Sequence, residues 1–124
     1  MEKENYTLLY VEDEDGTRIN IAKSLRLRYK EVLEAKDGEE AYRLYKEFKV
    51  DLIITDLQMP KMDGVELIKK IRLEDNRTPI VVISAYSDRE KLEEVSQMNI
   101  VEYAIKPLSR ARLKEVLKRG LQNI

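Results

Sequence analysis

Asp56 closes the apolar run Leu52-Ile53-Ile54-Thr55 and opens the loop Leu57-Gln58-Met59-Pro60-Lys61-Met62-Asp63-Gly64. Three other apolar runs end on reactive groups. Glu12-Asp13 follow Leu8-Leu9-Tyr10-Val11, Ser84 follows Ile80-Val81-Val82-Ile83, and Lys106-Pro107 follow Tyr103-Ala104-Ile105. Three acids, a hydroxyl and an ammonium thus arrive at the C-terminal ends of strand-like segments, the edge at which open α/β sheets bind ligands. If the first and third strands are neighbours, Glu12, Asp13 and Asp56 converge. Two unit charges ~4 Å apart repel by about 4 kcal/mol at an effective dielectric of ~20, so either a carboxyl pKa rises or a divalent cation neutralises the cluster. The chain has no cysteine and no histidine, which leaves oxygen ligands. Mg2+ suits such a set, taking one or two carboxylates, waters and a phosphate oxygen. A carboxylate beside Mg2+ can attack phosphorus to form an aspartyl phosphate, with Lys106 as a point charge and Ser84 as a hydroxyl donor to the phosphoryl oxygens.

The elements that must position these groups are legible as five short β-rich runs alternating with stretches of helical period, the pattern of repeated βα units and a parallel sheet. Strands are expected at 7–11, 32–35, 51–55, from Ile80 and from Tyr103. The first helix is expected over about 15–29, with Ile21, Leu25 and Tyr29 on one face. The second follows Asp37-Gly38 and buries Ala41, Leu44, Tyr45 and Phe48; the third follows Asp63 as N-cap and buries Leu67, Ile68 and Ile71. The fourth, held by Leu92 and Val95, ends near Asn99, a residue tolerant of the left-handed conformation. The last carries Leu113, Val116, Leu117 and Leu121 inward, with Gly120 marking a frayed end. The fold class expected is therefore α/β, a doubly wound (βα)5 flavodoxin-like sheet in the order 2-1-3-4-5.

A chain of 124 residues makes one domain, residues 1–124, with a real core. Its 23 basic and 24 acidic residues nearly cancel, so no overall basic field recruits nucleic acid. The longest apolar stretches fall far short of the ~20 residues of a membrane span, and the N-terminus lacks a signal peptide's apolar segment. A soluble cytoplasmic protein without membrane partners is expected.

The site residues resemble the receiver domain of bacterial two-component response regulators along the whole chain. The resemblance rests on Glu12-Asp13, Asp56 with Met59-Pro60 and Asp63-Gly64, Ser84-Ala85, Tyr103 and Lys106-Pro107, in the order and spacing of that family. It implies a signalling switch that assists its own phosphorylation and dephosphorylation. Asp56 would take a phosphoryl group from a phosphohistidine of a sensor histidine kinase or phosphotransfer protein. Asp13, Asp56 and the Gln58 backbone carbonyl would ligate Mg2+, with Glu12 acting through water. Ser84 and Tyr103 would form the switch pair, the Lys106-Pro107 bond would be cis, and a downstream output domain or protein would read the face of helix 4, strand 5 and helix 5. Glu12 stands where many members have Asp, Ser84 where many have Thr, Leu108 where Phe is usual and Asn99 where Gly is common, yet no required functional group is lost. Gln58 and Tyr86 occupy variable positions that tune phosphoryl lifetime in the family, and a Tyr86 ring is expected to shield the group from water.

Two other readings use the same residues. Asp13-Glu14-Asp15-Gly16-Thr17 matches the D-x-D-G-T motif of haloacid-dehalogenase-type phosphatases, with Asp13 as nucleophile and Asp15 as acid/base. That family needs further acids after its lysine, and Glu115 alone follows Lys106. The other reading is a receiver-like interaction domain that is never phosphorylated, against which the intact constellation argues. Charge patterning adds an expected weak homodimer: Asp88, Glu90, Glu93 and Glu94 on helix 4 would face Arg110, Arg112, Lys114, Lys118 and Arg119 of a second copy.

Overall fold

A computed structural model describes residues 2–122, apart from the Tyr86 side chain. The expected shielding by that ring therefore lies outside the described residues. The chain runs β1 (Glu4–Val11), α1 (Asp15–Arg26), β2 (Tyr29–Ala35), α2 (Gly38–Glu47), β3 (Leu52–Asp56), α3 (Gly64–Arg72), β4 (Ile80–Ser84), α4 (Arg89–Ser96), β5 (Glu102–Ile105) and α5 (Arg110–Leu121). One turn of 3-10 helix, Tyr86–Asp88, leads into α4. The strands form a single parallel sheet in the order β2-β1-β3-β4-β5, as the sequence pattern requires. Every residue of β3 and β4 is buried. Strands covered on both faces read as continuous apolar runs, which is why these two lack a polar alternation.

Successive strand residues point to opposite faces and so enter different cores. Leu8, Tyr10, Leu52, Ile54, Val81 and Ile83 pack with Leu25 of α1 and with Leu113, Val116 and Leu117 of α5. Leu9, Val11, Ile53 and Val82 pack instead with Ala41 of α2, Ile68 of α3 and Val95 of α4. Each full burial of this kind contributes ~1.5–3 kcal/mol.

Capping follows the acids. Glu14 accepts from Gly16 N (2.8 Å) and Thr17 N (3.0 Å), Asp37 from Glu40 N (2.8 Å) and Asp63 from Glu66 N (2.9 Å). At the N-terminal edge of the sheet, far from Asp56 along the strands, Arg72 ties three segments together. Its guanidinium donates to the carbonyls of Met98 (3.0 Å), Asp75 (3.0 Å), Thr78 (2.9 Å) and Asn99 (2.8 Å).

Several sequence expectations are corrected. Helix α1 stops at Arg26, and Tyr29 begins β2, pairing with Glu4 and packing in the same core as Leu25. Its four-residue spacing from Leu25 reflects a shared core, not a shared helix. β1 starts at Glu4 rather than Thr7 for the same reason, because β2 supplies it a partner. Phe48 is 41% exposed at the C-cap of α2, outside the buried stripe. Gly120 is buried, and a Cβ there would lie 2.8 Å from Leu52 Cδ1, so it brings α5 close to the sheet instead of marking fraying. Helix α4 ends at Ser96, while Asn99 does adopt the left-handed conformation, φ 57°.

Candidate functional site

β1 and β3 lie side by side with Val11 opposite Thr55, so Glu12, Asp13 and Asp56 leave the sheet at adjacent points. One oxygen from each lies within 4.8 Å of the others. Glu12 and Asp56 are buried, Asp13 is exposed. Asp56 Oδ1 accepts from Leu57 N at 2.7 Å, and Lys106 Nζ donates to Asp56 Oδ2 at 2.6 Å and to Glu12 Oε1 at 2.8 Å. The expected convergence is therefore present, and the lysine from the end of β5 closes it.

The electrostatics follow from this packing. Burial raises the Asp56 carboxyl above the ordinary aspartate value, and the Lys106 ammonium offsets only part of that effect. Burial would lower Lys106, but its bonds to Asp56 and Glu12 prevail and hold it raised. Burial, reinforced by the charges of Glu12 and Asp56, also pushes the Tyr10 hydroxyl upward. Three carboxylates face one ammonium, and the surplus negative charge with an all-oxygen donor set fits a divalent cation of the Mg2+ type.

The loop after Asp56 is pinned at both ends. Gly64 N donates to Leu57 O (2.8 Å), and Gly38 N, opening α2, donates to Met62 O (2.9 Å). A Cβ on Gly64 would lie 2.2 Å from Asp56 O, and one on Gly38 would lie 2.2 Å from Met62 O. Within the loop Lys61 adopts a left-handed conformation (φ 65°) that the sequence reading missed.

Ser84 ends β4 beside Asp56 and is fully buried, and its Oγ has no hydrogen-bond partner. It caps neither the 3-10 turn nor α4. Tyr103 is 45% exposed on β5, so it is not core packing. The Lys106-Pro107 bond is cis, as the resemblance implied.

The expected charge faces are less clean than the sequence suggested. Asp88 is buried and does not belong to the acidic surface. Glu94 pairs with Lys69 at 2.6 Å, while Arg112 pairs with Glu115 at 2.6 Å and Arg119 is engaged by Glu102 and Glu115. Asp88 was read as a surface acid because it opens a charged helix, yet it receives Gln58 Nε2 across the mouth of the site. An aspartate four residues beyond a strand's end, at the close of a tight turn, was the signal for such a role. Asp15, the acid/base of the phosphatase reading, is exposed in the first turn of α1 and paired with Arg18 at 2.8 Å.

Comparison with known proteins agrees with this geometry. The profile of the response regulator receiver domain matches residues 8–118. The chain is 34% identical over 123 residues to Chemotaxis protein CheY-3 of Vibrio cholerae, covering 97% of this chain and 95% of that protein. It is 31% identical over 115 residues to Regulatory protein AtoC of Escherichia coli, covering 93% of this chain but spanning only 25% of AtoC. The solved structure of CheY4 of Vibrio cholerae superposes with a TM-score of 0.86 at 30% identity, over 95% of this chain and 100% of that one. From its sheet order, its strand-end acids and these likenesses, the chain belongs to the response regulator receiver domains of two-component signalling.

Proposed function

We propose that residues 1–124 form one receiver domain in which Asp56 is the phosphoacceptor. The observation that carries this is the meeting of Asp56, Glu12, Asp13 and Lys106 at one point of the sheet edge. A carboxylate oxygen of Asp56 attacks the phosphorus of a phosphohistidine on a sensor histidine kinase or phosphotransfer protein. The P–O bond forms as the P–N bond breaks, and the imidazole nitrogen keeps the electron pair. Lys106 shifts from its double pairing to the phosphoryl oxygens, and Ser84 donates to them from the next strand. Bound by Asp13, Asp56 and the Gln58 carbonyl, with Glu12 acting through water, Mg2+ would supply charge neutralisation and a template for the phosphoryl oxygens.

Output requires a moved surface. Swinging a two-state equilibrium from 1:99 to 99:1 takes ~5.5 kcal/mol. Hydrogen bonds to charged groups are worth roughly 1.5–3 kcal/mol each, so Ser84 and Lys106 together reach that range. With Ser84 drawn inward, Tyr103 turns in from its exposed position and reshapes the α4–β5–α5 face for an output domain or protein. No helix among the described residues is long and apolar enough to cross a membrane; the cytoplasmic setting proposed here follows from the proposed exchange with a sensor kinase.

The test is intact-mass analysis after a small phosphodonor with Mg2+. Wild type should gain one phosphoryl group, and Asp56→Asn and Asp13→Asn should lose it. Modification that survived Asp56→Asn, or monoester turnover abolished only by Asp13→Asn, would favour the phosphatase reading.

A further inference from the structure

Across the mouth of the site, the acceptor loop and the segment after Ser84 are joined by a buried carboxylate. Asp88 is 2% exposed, and its Oδ1 accepts from the amide Nε2 of Gln58. Its Oδ2 accepts from the backbone amide of Ala85 at 3.2 Å. One side chain therefore holds the residue two positions after Asp56 and the residue immediately after Ser84. Lys91–Asp63 at 3.5 Å also joins these segments, and Lys69–Glu94 at 2.6 Å joins α3 to α4; both pairs are partly exposed and open to screening.

We propose that Asp88 is a positioning residue whose bond to Gln58 latches the Ser84 segment in the resting conformation. The inference rests on the assignment of Asp56 and Ser84 proposed above. In the proposed switch Ser84 is drawn inward onto the phosphoryl group, and the Gln58–Asp88 bond spans the boundary between its strand end and the acceptor loop. A charge-assisted bond inside a buried turn favours the arrangement in which it is made. The latch thus sets the threshold for switching. Gln58 itself is exposed, so changing its reach leaves the core untouched.

Calorimetric titration with beryllofluoride and Mg2+, a phosphoryl mimic, tests the latch in wild type, Gln58→Asn, Asp88→Ala and the double variant. Gln58→Asn keeps the amide and shortens its reach. Each single variant should bind the mimic roughly tenfold more tightly, the worth of one charge-assisted hydrogen bond, and the double variant no more tightly than either. In metal-free protein the Ala85 amide should exchange its hydrogen faster in both single variants. A merely structural Asp88 would instead weaken mimic binding. Equal or weaker binding in the folded Gln58→Asn protein, or additive effects in the double, would overturn the latch while wild-type binding leaves the site assignment standing. Failure of wild type to bind, or binding retained in Asp56→Asn, would overturn both.

Discussion

Replacing Arg72 with alanine removes four hydrogen bonds from one charged donor, to Met98 O, Asp75 O, Thr78 O and Asn99 O. Charge-assisted bonds are worth roughly 1.5–3 kcal/mol each, but these four act as one unit and the freed carbonyls border a loop that water can enter. A net loss of about 3 kcal/mol follows, a large part of the ~5–15 kcal/mol that holds a domain together. Burial lowers the Arg72 pKa, with Asp75 offsetting part of it, so desolvation of the guanidinium is already a cost that the four carbonyls must outweigh. Lysine keeps the charge without the planar fork, so Arg72→Lys should recover less than half of the loss. Urea denaturation followed by circular dichroism reads the effect. With a slope of ~1.5–2 kcal/mol/M the midpoint should fall by roughly 1.5–2 M. Phosphorylation of the folded variant should be unchanged, since Arg72 lies at the opposite sheet edge from Asp56. A loss under about 1 kcal/mol, or full recovery with lysine, would refute the reasoning.

Four further outcomes are expected. Ser84→Ala should stabilise the unphosphorylated protein by about 1 kcal/mol in a thermal melt, because it removes a buried hydroxyl that has no partner, and should weaken binding of the phosphoryl mimic. Gly64→Ala should cost about 2–4 kcal/mol in urea and reduce phosphorylation yield, since its Cβ would sit 2.2 Å from Asp56 O. For Asp75, burial raises the carboxyl, but bonds from Thr78, Tyr45 and the Arg77 amide prevail and depress its pKa. Its stabilisation is thus full above the ordinary value of ~3.9, declines progressively below it and is gone only once pH has fallen through the depressed folded pKa, and Asp75→Asn should flatten the acid limb of stability against pH. Sedimentation velocity with a bound phosphoryl mimic should show weak, salt-sensitive dimerisation through Glu90 and Glu93 against Arg110, Lys114 and Lys118; a monomer at both low and high salt would reject it.

The sequence was most informative where one physical cause dominates. Double-sided burial writes β3 and β4 as unbroken apolar runs, and the need for a short acceptor at a helix start identifies Asp63. It was least informative where two causes give one pattern. Tyr29 stands four residues after Leu25 and shares its core, so spacing alone could not separate a helix continuing from a strand beginning. Asp88 looks like any acid opening a charged helix, and only the neighbouring acceptor loop reveals its partner. The convergence of Glu12, Asp56 and Lys106 was legible because parallel topology places all strand ends on one edge. Their detailed pairing was not, because it depends on side-chain reach.

The pinning of the loop at Gly38 and Gly64 divides the site into a frame and a moving part. With two helix starts bonded to its backbone, the stretch 57–63 is tied to α2 and α3, a frame expected to stay in place when the proposed acceptor Asp56 takes a phosphoryl group. A reference that stays still is what converts a small change at one atom into a displacement elsewhere. In the proposed switch motion would then leave through β4 and β5, so the direction in which the signal travels would be built into the connectivity before any partner arrives.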